Sequence, residues 1–307
     1  MKKPALFAIG VILIVALAGG VRLAKFKKPA GQGRVSPAAA DELIYKKALK
    51  SASQDKQEES LSYWRDLVDE FPKSKYAGEA LFNIGNVRLK EGNLLGAEKT
   101  YQRIIRDYPN SESVKKVQQA LWQTKINILF SPIKTADSRV YEVKDGDVLE
   151  NIAKKFNTTV ELIKKSNRLT GDFIRRGQRL KISVSEFNVI VDKSLNALTL
   201  KTNQEVVKVY TVSTGSPISP TPVGTFSIIT KLIDPSWRNL SSDNPKNILG
   251  SRWMGFAEPY REYGIHGTTQ PESMGKNITK GCVRMLNQDV EELYAILPLG
   301  AKVVIIE

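Results

Sequence analysis

The most constraining feature of this chain is an internal repeat with helical period. Trp64-Arg65-Asp66-Leu67-Val68-Asp69-Glu70-Phe71-Pro72-Lys73-Ser74 aligns with Tyr101-Gln102-Arg103-Ile104-Ile105-Arg106-Asp107-Tyr108-Pro109-Asn110-Ser111, an offset of 37 residues. A unit of this length carries one apolar face that it cannot bury alone, so it must stack on a neighbour. Helical periodicity runs over 41–129, Pro72 and Pro109 each end a helix, and Gly85 and Ala97 let paired helices approach closely. Residues 41–130 are therefore expected to form α-helical repeat hairpins. They serve either as a spacer or as a protein-docking surface, two units being few for a solenoid.

The period then changes twice. Residues 131–139, with Ser131, Pro132, Asp137 and Ser138, read as a linker. In 140–184 a strand near Tyr141 and Val143 is followed by two short helices. Asp147 with Glu150 suggests a capping box for the first helix and Thr158 with Glu161 for the second. Asn167 ends the second helix and 177–182 returns as a strand, giving a small βααβ module. From Phe187 apolar residues alternate (Val189 and Val191, Leu198 and Leu200), and further strands fall at 207–212, 226–229 and 303–306. Asn287 is expected to cap one helix over 288–297, stopped by Pro298. Residues 186–307 thus read as a mainly-β domain, and the whole chain as multidomain.

The formal charge is +14, but 186–307 holds twelve basic and twelve acidic residues, so the excess lies upstream. A nucleic-acid footprint would concentrate on one folded module, and no nucleic-acid partner is expected. Residues 1–40 carry seven basic and no acidic residues around an apolar run at 5–21. At about 1.5 Å per residue this run spans about 26 Å, slightly short of a ~30 Å hydrocarbon core. Residues 1–28 read as a membrane anchor, with a cleaved signal peptide as the competing reading at Ala16-Leu17-Ala18. Residues 29–40 follow as a Pro- and Gly-rich linker. Either reading places the domains outside the cytoplasm, in the cell envelope. The single cysteine permits no intrachain disulfide.

That cysteine and the single histidine stand close together in sequence, in Ile265-His266-Gly267-Thr268 and Thr279-Lys280-Gly281-Cys282-Val283-Arg284-Met285. A thiol needs a base to be a strong nucleophile near neutral pH, and imidazole is well tuned to supply it. Glycines beside the pair admit a substrate backbone and free N–H groups for an oxyanion. Spacing alone leaves open that Cys282 is a buried hydrophobe and His266 a structural residue. One His and one Cys exclude a zinc-type ligand set, and neither a metal nor another cofactor is expected.

These residues closely resemble the signature of the YkuD-type L,D-transpeptidases, His-Gly-Thr followed after a spacer by Gly-Cys-apolar-Arg. Thr221-Pro222-Val223-Gly224-Thr225-Phe226 matches a further marker of that family. One departure is Lys280, where many members have a second histidine. In the family the first histidine is the base, so the role falls to His266. Residues 140–184 resemble a LysM domain, and 81–109 has the spacings of a tetratricopeptide repeat.

The resemblances imply a peptidoglycan L,D-transpeptidase with LysM and tetratricopeptide-like modules. Cys282 would attack the stem peptide before its terminal D-Ala, His266 would take the thiol proton, and an acceptor amine would resolve the thioester. The crosslink would join two stems or attach a protein to the wall. The backbone N–H groups around Gly281 and Cys282 are expected to supply the oxyanion hole, and a carbonyl near Gly267 to orient the imidazole. Thr279 is expected to bind substrate or loop backbone. Arg284 is either a pocket cation for a stem carboxylate or a structural residue. Trp253, Tyr260 and Tyr263 line the cleft or pack in the core. Gly146, Asp147, Val148 and Asn167 are nominated for glycan contact. Peptide stems, glycan strands, a membrane and a protein docked on the helices are the expected partners. An L,D-carboxypeptidase using water, and a non-enzymatic wall-binding scaffold, remain as alternatives.

Overall fold

The computed structural model describes residues 37–307, except 242, 243 and 245. The anchor read at 1–28 lies outside the described residues. Among those described, no helix is long and apolar enough to cross a membrane.

Five helices open the described chain: α1 (Pro37–Ser53), α2 (Gln57–Glu70), α3 (Ala77–Lys90), α4 (Leu94–Asp107) and α5 (Val114–Leu129). Residues 37–40, expected as linker, already belong to α1. The repeat-equivalent pairs Trp64 and Tyr101, and Leu67 and Ile104, are all buried in one core. Gly85 is required there, because a Cβ on it would collide with the Tyr101 ring. Tyr108, at the end of one unit, donates its hydroxyl to the Pro72 carbonyl at the matching point of the other, 2.9 Å away.

The second module pairs β1 (Ser138–Glu142) antiparallel with β2 (Arg179–Ser183), across α6 (Leu149–Lys155) and α7 (Val160–Asn167). Ser138, expected in the linker, starts β1. Thr159 rather than Thr158 caps α7, accepting from the Leu162 N–H at 2.9 Å. Val148 precedes α6 without a side-chain cap. Asp147 does not cap that helix; it accepts instead from the Tyr141 hydroxyl and the Lys144 N–H, both at 2.8 Å. A turn held at its base replaces the expected capping box.

The third module contains β3 (Asn188–Asp192), β4 (Ala197–Lys201), β5 (Val206–Thr211), β6 (Thr214–Gly215), β7 (Gly224–Ile233) and β8 (Arg252–Phe256). It continues with β9 (Gly264–His266), β10 (Asn277–Thr279), β11 (Val283–Arg284), α8 (Asn287–Ile296) and β12 (Lys302–Ile306). Eight strands form one mixed sheet in the order β11-β9-β8-β7-β12-β3-β4-β5, and β6 pairs with β10 apart from it. Strand alternation sends Val189, Val191, Leu198, Leu200, Val303 and Ile305 into a common core with Val290 and Leu293 of α8.

The modules are packed against one another. Leu162 of α7 and Ile126 of α5 enter the core of the β domain. The Thr159 hydroxyl donates to the Ala295 carbonyl of α8. On β2, Leu180 and Ile182 face their own module's core while Lys181, between them, faces the other way. Its buried Nζ donates to the carbonyls of Ile128 and Ser131 at 2.9 and 2.8 Å, where α5 ends. A cation at a helix C-terminus satisfies carbonyls that have no partner within the helix.

Candidate functional site

Strand β11 lies parallel to β9 with Val283 opposite Ile265 and Arg284 opposite His266. On the other side β8 is antiparallel to β9 with Trp253 opposite His266. Ile265 and Val283 are wholly buried in the core. Alternation therefore turns Arg284, His266 and Trp253 to the opposite face, and Cys282 sits in the turn immediately before β11. The two motifs lie on adjacent strands, at one edge of the sheet.

His266 is 2% exposed. Its Nδ1 lies 2.7 Å from the Gly267 carbonyl oxygen. A carbonyl can only accept, so in the neutral ring Nδ1 carries the proton and Nε2 the free lone pair. Burial lowers the imidazole pKa to about 4, and the nearby Arg284 cation adds to this; the Gly267 and Leu249 carbonyls oppose it. The ring is thus neutral at pH 7 and able to accept a proton. Trp253 stacks on it, with ring centroids 5.9 Å apart.

Cys282 is partly exposed, with Sγ 3.7 Å from the Glu262 carbonyl. Burial raises its pKa, against the Gly264 N–H and the Arg284 cation, which favour the thiolate. The free site therefore holds a thiol and a neutral imidazole rather than a preformed ion pair. Gly281 before it has φ +108°, in the region that favours glycine, and a Cβ there would collide with the Tyr263 ring. Tyr263 thus packs over the turn that precedes Cys282. The buried Thr279 hydroxyl donates to the Cys282 carbonyl at 2.6 Å and accepts from the Gly281 N–H at 3.2 Å. Thr279 thereby bonds the loop backbone, and the Gly281 N–H expected for an oxyanion is already engaged. The Cys282 N–H has no acceptor among the described residues.

Arg284 is 7% exposed. Its Nη1 donates to Gln270 Oε1 and Ser273 Oγ, both at 3.2 Å, while its buried Nε has no partner. Among the described residues no carboxylate lies within ion-pair distance of it. A buried cation of this kind is costly unless an anion joins it.

The residues nominated for glycan contact divide. Gly146, at φ +80°, has open space beside its Cα, and Val148 is exposed. Asp147 accepts the two bonds described above. Asn167 is internal: its amide donates to the Ile163 and Lys181 carbonyls at 2.8 and 2.9 Å and accepts from the Lys181 N–H at 2.7 Å. It ties α7 to β2, and both N–H donors of its side chain are engaged there. Sequence patterning also misread Asn287. It is the first residue of α8 and caps nothing there, because its oxygen faces two loops instead. An asparagine at a helix start carries no linear signal for such a contact. Gln270 and Ser273, which hold Arg284, were likewise unmarked in the sequence.

Comparison with known proteins agrees with this architecture. The family described as L,D-transpeptidase catalytic domain matches residues 186–305, the LysM domain 141–183, and a tetratricopeptide repeat 79–111. The YkuD protein of Bacillus subtilis, which carries the L,D-transpeptidase name, is 33% identical over 171 residues, covering 54% of this chain and 97% of its own length. YqjB of the same organism, also named for L,D-transpeptidases, is 42% identical over 122 residues, covering 38% of this chain and 69% of its own. Among solved structures, an L,D-transpeptidase from Mycobacterium smegmatis aligns over 43% of this chain and 64% of its own, at 18% identity and a TM-score of 0.35.

Proposed function

Because the chain belongs to the YkuD-type L,D-transpeptidase family, we propose that it is a cysteine acyltransferase acting on the peptide stems of peptidoglycan, with an amine as acceptor. The reading rests chiefly on the Gly267 carbonyl, which holds the proton of His266 on Nδ1 and leaves Nε2 as the basic position of a ring on β9, the strand paired with β11, which begins directly after Cys282.

Nε2 takes the thiol proton as Sγ attacks the carbonyl of the stem residue preceding the terminal D-Ala. The proton moves during attack, since both partners begin neutral. The Cys282 N–H is the candidate donor to the tetrahedral oxyanion. Collapse expels the D-Ala amine, which receives the proton from the imidazolium and leaves a thioester. An amine of a second stem, or of a wall-attached protein, gives up a proton to Nε2, attacks the thioester and restores the thiol. Arg284, buried with an unpartnered Nε and with no carboxylate within ion-pair distance among the described residues, is the candidate to hold a stem carboxylate. A module of the LysM family implies a grip on glycan, and raising the local concentration of stems suits a slow two-substrate transfer. The helical repeats are a candidate docking surface for a protein. Such substrates lie outside the cytoplasm, and the apolar run at 5–21 is proposed to carry the domains there.

Incubating the full-length chain with a disaccharide-tetrapeptide and weighing the products tests this reading. Crosslinked dimers are expected. Tripeptide alone would assign water as acceptor, and unchanged substrate would leave a binding scaffold. Retention of full activity by Cys282→Ala would reject the thiol mechanism outright. A carbapenem adduct on Cys282, seen as a mass shift, is also expected.

A further inference from the structure

The carbonyl of Gly267 and the N–H of Thr268 belong to the same peptide group. The oxygen meets His266 Nδ1, and the N–H donates to Asn287 Oδ1 at 3.0 Å. A trans peptide is planar, so its C=O and N–H point in opposite directions and fixing one fixes the other. The same Oδ1 accepts from the Ser251 N–H at 3.2 Å, which ties the loop before β8 to the loop after β9. Space for this oxygen is cleared by two glycines. A Cβ on Gly250, which has φ +64°, or on Gly267 would collide with Asn287 Oδ1. Three chain segments thus converge on one amide oxygen that the proposed chemistry does not itself use.

We propose that Asn287 is a positioning residue that sets the tautomer of His266 through the Gly267–Thr268 peptide. By accepting from Thr268 it holds the carbonyl toward Nδ1 and strengthens it as an acceptor, because serial hydrogen bonds polarise one another. The ring proton then stays on Nδ1, and Nε2 is free to take the thiol proton. The catalytic consequence rests on the role proposed above for His266; the tautomer does not, and is measured separately.

His266 is the only histidine in the chain, so long-range nitrogen–proton NMR of the full-length protein, labelled with nitrogen-15 in histidine, reads this ring alone. The wild type is expected to carry its proton on Nδ1. In Asn287→Ala the Thr268 and Ser251 N–H groups lose their acceptor. The tautomer is expected to become mixed and kcat for acyl transfer to fall about 10²-fold, the scale of a misplaced catalytic group. Asn287→Asp keeps an acceptor for both N–H groups. It is expected to retain the Nδ1–H tautomer and to restore kcat to within a few-fold of wild type. Its added negative charge should also shift the His266 titration to higher pH. A pure Nδ1–H ring with unchanged kcat in Asn287→Ala overturns the proposal. If that variant does not fold, an Asn287→Asp protein that loses the Nδ1–H tautomer, or whose His266 titrates as in wild type, overturns it instead. A wild type that makes no product but shows these tautomer changes refutes the proposed function and leaves the positioning role standing.

Discussion

Trp253 lies against the imidazole of His266, with the two ring planes inclined by 24° and their centroids 5.9 Å apart. The pair follows from register, since the two residues are opposite each other on β8 and β9. The indole is part of the packing that keeps water from the ring, and burial is the main reason the imidazole resists protonation. Trp253→Ala is expected to raise the His266 titration from about 4 toward its ordinary value of 6.5, followed by NMR of the single histidine. Acyl transfer should fall at least about tenfold as the ring loses its fixed orientation. A titration that does not move would show that Trp253 contributes nothing to the burial.

The same depressed pKa makes the fold sensitive to acid. Between pH 6.5 and 4 the unfolded chain binds a proton on His266 that the folded chain refuses. Stability contributed by this group is present above the unfolded pKa and is lost as pH falls through this window, by about 3 kcal/mol at its acid end. His266→Gln removes the contribution. Urea unfolding at a series of pH values should therefore show a shallower loss between pH 6.5 and 4 in the variant than in wild type.

Because burial raises the Cys282 pKa above its ordinary 9.0, little thiolate exists at neutral pH. Alkylation of Cys282 by iodoacetamide should still be accelerating at pH 9, since only the thiolate reacts. A rate that plateaus below pH 7 would indicate a preformed thiolate–imidazolium pair and require a different proton inventory.

Lys181 bonds the end of α5 to the βααβ module, and its replacement removes the donor from buried carbonyls. Lys181→Met is expected to cost about 2–3 kcal/mol, the penalty of leaving such groups unsatisfied. Differential scanning calorimetry should show a lower Tm. Protease sensitivity should appear first near 129–137, where the modules join. An unchanged Tm would show that the junction does not depend on this cation.

Much of the architecture was legible because it rests on local periodicity. The 37-residue repeat with Pro72 and Pro109, the βααβ order and the alternating strands after Phe187 all express which face of a segment must leave water. Boundaries slipped by a residue or more where side chains choose among neighbours: Thr159 takes the cap read at Thr158, and Asp147 serves Tyr141 and Lys144 instead of opening α6. Asn167 ends α7 as expected, but its hydrogen bonds were not legible for a related reason. A polar residue ending a helix looks available, yet both its N–H donors are engaged by the carbonyls of Lys181 and Ile163, and only the folded βααβ unit brings Lys181 to it.

By itself, the sequence determined the helical-repeat, βααβ and mainly-β character of the described residues and the side-chain chemistry available to them, because composition and period are properties of short stretches. One thiol, one imidazole and their flanking glycines could be found by reading along the chain. Tertiary structure decided the protonation states and the available hydrogen-bonding groups. Whether His266 is neutral, which nitrogen holds its proton, whether the Gly281 N–H is free and whether Arg284 has a counter-charge all depend on burial and on partners from distant segments. Trp253, Gly267, Thr279 and Asn287 reach these groups through strand register and loop closure. Dielectric and hydrogen-bond geometry act through space, and linear order does not encode which atoms will be neighbours.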